Sequence, residues 1–167
     1  MKRIALIVLF CLLSSISVGA DVAAIKVLAE AGDAVAQYDL AVHYFEGDGV
    51  PQNHAEAVKW FRKSAEQDNA YSQGMLGAIY AHGEGVPANF SESIKWHRKA
   101  AYQGNTGSQI SLGELYGAGN GVPQDYVRAY KWSSLAAAQG DKDAAVTRDE
   151  IAAKMTTAQI AEAQELA

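Results

Sequence analysis

Apolar and small residues recur along this chain with the period of an α-helix. The first clear face has residues at i, i+3, i+4 and i+7, namely Gln37, Leu40, Ala41 and Tyr44. Asp33 can cap the start of this helix, which the pattern predicts to run to about Glu46. After a loop, the next stretch again shows the helical spacing of apolar residues. The chain is therefore predicted to be all-α.

The loop after this first helix carries signals that stop one helix and start another. Gly47 favours a left-handed stop, and Pro51 prevents the helix from continuing. Asn53 can cap the second helix, and Glu56 three residues later is expected to complete a box-like cap. Two helices of about a dozen residues cannot bury their apolar faces alone, so helix-loop-helix units are expected to stack.

This helix-loop-helix unit occurs three times in the sequence, with a period of 36 residues. The three copies of its loop are EGDGVPQN, HGEGVPAN and AGNGVPQD. A leucine, a tyrosine and a tryptophan recur at that step and are predicted to form a structural framework: Leu40, Tyr44, Trp60, Leu76, Tyr80, Trp96, Leu112, Tyr116 and Trp132. Because the tryptophans keep a fixed place beside an alanine stripe, a core role is favoured over stacking on sugar or peptidoglycan.

The start of the chain has the layout of a secretory signal peptide. A basic Met1-Lys2-Arg3 precedes ten apolar residues, and small residues lead to a cleavage position near Ala20. A membrane span needs about 20 apolar residues, so this run is too short for an integral anchor. The sequence therefore predicts a periplasmic or secreted protein.

The repeat positions divide the chain into six predicted segments. They are a signal peptide (1–20), an N-terminal capping helix (21–32), repeat one (33–68), repeat two (69–104), repeat three (105–140) and C-terminal capping helices (141–167). The last segment departs from the framework, since Arg148 stands at the leucine position. Thr156 and Gln159 within it form a capping-box pattern that opens a final helix.

Composition excludes several classes of function. Cys11 is the only cysteine and lies in the apolar leader, so the mature chain can hold neither a disulfide nor a thiolate metal site. Removing Lys2 and Arg3 leaves 12 basic against 19 acidic residues, a net charge of −7, which disfavours nucleic acid as a partner. A basic stripe on the second helices is interpreted as solvated, with an anionic-ligand patch as the alternative: Lys59, Arg62, Lys63, Lys95, Arg98 and Lys99.

Taken together, these positions resemble the Sel-one-like repeat family, relatives of the tetratricopeptide repeats. In repeat two the family pattern is matched by Leu76, Gly77, Tyr80, Gly83, Gly85, Val86, Trp96, Ala100, Ala101 and Gly104. Repeat one has Phe61 in the aromatic position after the tryptophan, whereas repeats two and three depart there with His97 and Ser133. The resemblance implies a right-handed α-solenoid of stacked helix-loop-helix repeats that acts as a binding scaffold.

The resemblance also implies two classes of function. Family members serve as adaptors, and exported bacterial members act in envelope assembly, host contact or immunity against secreted toxins. The expected function is thus a non-catalytic scaffold that binds a partner protein, as an adaptor or as an immunity protein. The alternative is a cell-wall or β-lactam-active enzyme, as proposed for a cysteine-rich subgroup whose cysteines this chain lacks.

Positions that differ between repeats indicate where a partner would bind. On each first helix they form one face, and in this family the first helices line the concave side. The predicted contact residues are Tyr38, Asp39, His43, Tyr71, Met75, His82 and Glu114. Three apolar members of the same face are expected to pack against neighbouring helices instead: Ile79, Ile110 and Leu115.

No catalytic constellation can be assembled from the sequence. It has no H-E-x-x-H, G-x-S-x-G or phosphate-loop motif. The four histidines occupy different repeat positions and lack the i, i+4 spacing of a metal pair: His43, His54, His82 and His97. The chain is therefore predicted not to be an enzyme and to bind neither a metal nor a cofactor.

Overall fold

The computed structural model describes residues 21–167, so the predicted signal peptide lies outside the described residues. Over this range all regular elements are helices, which confirms the all-α prediction. The described residues divide into two compact units, the first ending at Asn69 and the second spanning Ala70–Ala167. The helices are α1 (21–30), α2 (Ala34–Glu46) and α3 (His54–Glu66) in the first unit, and α4 (Ala70–His82), α5 (Phe90–Tyr102), α6 (Thr106–Ala118), α7 (Tyr126–Ala138), α8 (Lys142–Ala152) and α9 (Thr157–Leu166) in the second.

The predicted start and stop signals bound the first two repeat helices. The Asp33 carboxylate accepts a hydrogen bond from the Ala36 N–H at 2.7 Å and so caps α2. Gly47 ends this helix in the left-handed conformation, with φ of 77°. The Asn53 side chain accepts from the Glu56 N–H at 3.0 Å and caps α3. Local sequence chemistry therefore fixes both ends of α2 and the start of α3.

The cap of α3 differs from the reciprocal box predicted for it. The Asn53 N–H donates to the Tyr44 carbonyl across the loop at 2.8 Å, so it does not donate to the Glu56 carboxylate. Glu56 instead pairs with Lys59 at 2.8 Å. The reciprocal box does form at α9, between Thr156 and Gln159, as predicted there.

A buried glutamine links helices within and between repeats. In repeat three the Gln109 side chain accepts from the Gln139 Nε2 at 2.8 Å and donates to the Ala101 carbonyl of α5 at 3.2 Å. In the first unit Gln37 accepts likewise from Gln67 at 2.8 Å, and it donates to an α1 carbonyl at 3.1 Å. Since a buried amide without partners is costly, the same pair of contacts explains why glutamine recurs at this position.

Most framework side chains lie in the core. The three leucines are fully buried, and the tryptophans Trp60, Trp96 and Trp132 are 7%, 4% and 3% exposed. The tyrosines differ, because Tyr116 is buried whereas Tyr44 and Tyr80 are half-buried. Burial of the tryptophans fits their interpretation as structural residues.

The last repeat is closed by the two terminal helices. Both α8 and α9 pack against α7, and they complete a core cluster that includes Leu112, Tyr116, Trp132, Ile151 and Ala163. Ile151 comes from α8 and Ala163 from α9, so each helix contributes an apolar side chain. The two helices therefore cover apolar surface of repeat three.

Candidate functional site

The positions of a first helix (α2, α4 or α6) that differ between repeats form what we call its variable face. Its members are Val35, Tyr38, Asp39, Val42, His43 and Glu46 on α2, Tyr71, Gly74, Met75, Ala78, Ile79 and His82 on α4, and Gly107, Ile110, Ser111, Glu114, Leu115 and Ala118 on α6. In the first unit the variable face of α2 is accessible along its length. Tyr38 and Asp39 are half-buried, and the Tyr38 ring lies 5.8 Å from the Phe61 ring, centroid to centroid. His43 is engaged by the following loop, since its Nδ1 lies 2.8 Å from the Asp48 carbonyl oxygen. Val35 at the start of α2 is 62% exposed. This face thus offers an aromatic side chain and a carboxylate, while His43 also serves the loop.

In the second unit the variable face divides into exposed and packed positions. Tyr71 is 68% exposed, Met75 is half-buried, and His82 and Glu114 are exposed. The apolar residues behave as the packing interpretation expects, because Ile79 and Leu115 are buried and Ile110 is half-buried. Tyr71 stands 36 residues after the exposed Val35, so both repeats place an exposed apolar side chain at this position.

The structure brings two of the predicted contact residues, His82 and Glu114, to one surface cavity of about 340 Å³ between α4 and α6. The cavity is lined by Ala78, Ala81, His82, Phe90, His97, Ser111, Glu114, Leu115, Ala118 and Asn120. Six of these residues occupy variable-face positions of the two first helices. Tyr71 and Met75 are on the same face of α4 but not in the lining.

His97 forms the inner wall of this cavity. Its ring packs on Gly77, where an added Cβ would lie 2.6 Å from ring atoms, and its Nδ1 lies 3.2 Å from the Ser108 hydroxyl. Burial, together with a smaller contribution from the charge of His82, lowers the pKa of the His97 imidazole from 6.5 to about 4. The imidazole is therefore neutral at physiological pH and can act as a hydrogen-bonding group.

A histidine and a serine lie next to each other at this cavity. His97 and Ser108 resemble part of a nucleophile–base pair, but Ser108 is 1% exposed and a substrate cannot reach its hydroxyl. Within residues 21–167, no group of three His, Cys, Asp or Glu side chains could hold a metal ion. Glu114 gives the lining an acid, and no lysine or arginine offsets it there.

Sequence reasoning missed His97, Phe90 and Asn120 as lining residues. His97 replaces the aromatic residue found in repeat one, and this departure was the available signal. Asn120 stands where the first two loops carry Asp48 and Glu84, so this loop position also varies between repeats. Across the described part of the chain, no helix is long and apolar enough to cross a membrane.

Comparison with known proteins agrees with this architecture. The model of the Sel1 repeat family matches residues 34–69, 70–105 and 107–141. A sel1-like repeat-containing protein of Acanthamoeba polyphaga mimivirus is 41% identical over 44 residues, which are 26% of this chain and 8% of that protein. The first two matched ranges meet where the two compact units meet.

Two crystal structures share the fold. A Sel1 repeat protein from Oxalobacter formigenes is 37% identical with a TM-score of 0.70, over 73% of this chain and 50% of that one. A protective antigen of uropathogenic Escherichia coli with an SLR fold is 34% identical with a TM-score of 0.57, over 74% of this chain and 34% of that one. This chain thus spans half or less of each relative. With three consecutive matched repeats and the fold of these α-solenoids, the chain belongs to the Sel1 repeat family.

Proposed function

We propose that this protein is a non-catalytic scaffold that binds a partner protein through the variable, concave-side face of its first helices. The observation that carries the proposal is the cavity between α4 and α6, because its lining is drawn mainly from positions that the repeat framework leaves free. Positions constrained only by a partner can differ from repeat to repeat, whereas stacking positions cannot.

The chemistry of this cavity suggests what the partner presents. Glu114 and the neutral His97 are hydrogen-bond acceptors, and Phe90 and Leu115 give apolar wall. A lysine or arginine side chain of the partner would match both the acceptors and the apolar wall. Its aliphatic stem can lie on the apolar surface while its charged group meets the Glu114 carboxylate. We infer that the partner inserts a basic side chain here and contacts Tyr71 and Met75 beside it.

The setting of this function is the bacterial periplasm or the secreted space. The proposal rests on the leader-like residues 1–20 and on the cysteine-free remainder of the chain. An adaptor in envelope assembly and an immunity protein that neutralises a toxin both use such a face. The two differ in their partner, which is an envelope component in the first case and a toxin in the second.

Capture of the partner in cells tests the proposal. The protein, tagged at its C-terminus, is crosslinked in intact cells, and the captured proteins are identified by mass spectrometry. We expect one partner that is lost with Tyr71→Ala/Met75→Ala and with His82→Ala/Glu114→Ala. The matched control is Lys95→Ala/Lys99→Ala on the exposed surface of α5, which should keep the partner.

Unchanged capture by both first-helix variants, once circular dichroism shows them folded, contradicts a binding site on this face. The enzyme alternative is tested separately, with the chromogenic β-lactam nitrocefin and purified protein. Turnover that disappears on mutation of Glu114 or His97 would favour catalysis over scaffolding, and the proposal expects none.

A further inference from the structure

A second and larger cavity, of about 480 Å³, opens between the second helices α5 and α7. It lies in the second unit and shares no lining residue with the cavity between α4 and α6. Its lining combines three cations, three aromatic residues and three aliphatic residues: Arg98, Arg128, Lys131, Tyr102, Tyr116, Trp132, Ile94, Val122 and Leu166. No acidic side chain is among them, although the formal charge of the whole chain is −5.

One of the three cations of this cavity is a departure from the repeat. In repeats one and two the recurring lysine is neutralised three residues away, by Glu56 at 2.8 Å and by Glu92 at 3.2 Å. Repeat three has Arg128 at that position, so Lys131 loses its acidic partner and gains a cationic neighbour. This substitution adds two units of positive charge, and Asp125, which replaces Asn53 and Asn89, removes one, so the net local change is one unit.

Arg128 is also an unfavourable choice for the helix that carries it. It stands in the first turn of α7, where the helix dipole favours an acid and disfavours a cation. The Asp125 carboxylate lies 3.4 Å from Arg128 Nη1 and offsets part of this charge. A residue that breaks a local rule indicates a requirement other than helix stability.

Aromatic rings hold the cations at the cavity. The Tyr102 and Trp132 rings meet edge to face at 5.2 Å, and the Lys131 Nζ lies 5.0 Å from the Trp132 centroid. The Arg128 guanidinium lies 5.5 Å from the Tyr116 centroid. Tyr102 is 64% exposed and replaces Glu66 of repeat one, so this position too changes from acid to aromatic. A ring face attracts a cation without accepting a conventional hydrogen bond from it, whereas Arg128 also meets the Asp125 carboxylate.

We propose that this cavity binds a carboxylate carried on a flat apolar body. The volume is within the range of small-molecule sites, roughly 300–1,000 Å³. Arginine donates paired N–H groups that match a carboxylate, and the aromatic and aliphatic walls accept the apolar body. The carboxylate belongs either to a free small molecule or to the chain terminus of a peptide that ends in an aromatic residue.

Calorimetric titration with matched probes tests this site. We expect 2-naphthoate to bind and neutral 2-naphthamide, of the same shape, to bind about tenfold more weakly or worse, because a charged hydrogen bond is lost. Binding of the carboxylate should weaken in about 0.5 M salt. An acetylated tripeptide that ends in phenylalanine, with a free or an amidated terminus, separates the two sources of the carboxylate.

Variants assign the binding to the named side chains. Arg98→Gln and Lys131→Gln should each weaken 2-naphthoate binding about tenfold, whereas Lys99→Gln should not. Lys99 is the matched control, since it is an exposed cation next to Arg98 on α5 and is not in the lining. Arg128→Glu restores the acid of the other repeats, so it should abolish binding while the melting temperature rises.

Each outcome decides the proposal. Equal affinity for the acid and the amide, or an Arg98→Gln variant that binds as the native protein does, overturns it, as does binding of no probe at all. Binding of the tripeptide acid alone keeps the site and assigns the carboxylate to a peptide terminus. The site does not depend on the partner-binding face, because none of the α4–α6 cavity residues is mutated.

Discussion

Burial of His97 makes the stability of the fold depend on pH over a defined window. The folded-state pKa is about 4, against 6.5 for an exposed histidine. As pH falls below 6.5 the unfolded chain takes up a proton that the folded chain does not, so stability is lost from about pH 6.5 down to pH 4. At 1.36 kcal/mol per pKa unit the full loss is about 3 kcal/mol, and about 2 kcal/mol of it falls above pH 5.

The assay compares the native protein with His97→Phe in urea unfolding at pH 7.5 and pH 5. Phenylalanine is the matched replacement, because Phe61 holds this position in repeat one and is fully buried there. Carboxylates titrate in both proteins, so the difference between the two pH dependences isolates the imidazole. The native protein should lose about 2 kcal/mol more than His97→Phe between these pH values.

Parallel losses of stability in the two proteins would refute this reasoning. They would mean that the imidazole is protonated in the folded state, and therefore that water reaches it more freely than its 4% exposure implies. A change in stability at pH 7.5 alone would not bear on the argument. It would report only how the phenyl ring packs against Gly77. The native imidazole occupies the space that a Cβ on Gly77 would need.

Three further predictions concern packing. Trp96→Ala should abolish cooperative thermal unfolding, since loss of a buried tryptophan costs about 3–5 kcal/mol against roughly 5–15 for a domain; an unchanged melting curve would contradict its framework role. Gln109→Leu should lower the free energy of unfolding, measured in urea, by about 1 kcal/mol. This is the low end for the loss of two hydrogen bonds, because Gln139 is exposed and its side chain can bond to water instead. Gly77→Ala should cost about 1–3 kcal/mol by overpacking the His97 ring, and the double variant with His97→Ala should lose less than the sum of the two single losses.

Local features of this fold could be predicted from sequence because they depend on neighbouring residues alone. The caps at Asp33 and Asn53 and the left-handed stop at Gly47 each need only a side chain and the adjacent backbone. The partner of Glu56 could not be predicted in the same way. It depends on the Asn53 N–H, which the Tyr44 carbonyl already engages across the loop.

The candidate sites could be predicted only in part, because they depend on how helices pack against one another. Repeat comparison identified His82 and Glu114 as free of stacking, but only the packing of α4 against α5 places His97 beside them. The basic cavity shows the same limit. The sequence pattern assigns Arg98 to a solvated stripe, and its position near Arg128 and Lys131 depends on how two helices 36 residues apart are arranged.

Site-specific photo-crosslinking shows whether the first helices bind the partner. A photoreactive phenylalanine analogue is placed at Tyr71, at Glu114 or, on the second helix α5, at Lys99, and each variant is irradiated in intact cells. We expect one adduct of the same mass from Tyr71 and Glu114 and none from Lys99. An adduct from Lys99 with none from the two first-helix positions would contradict it.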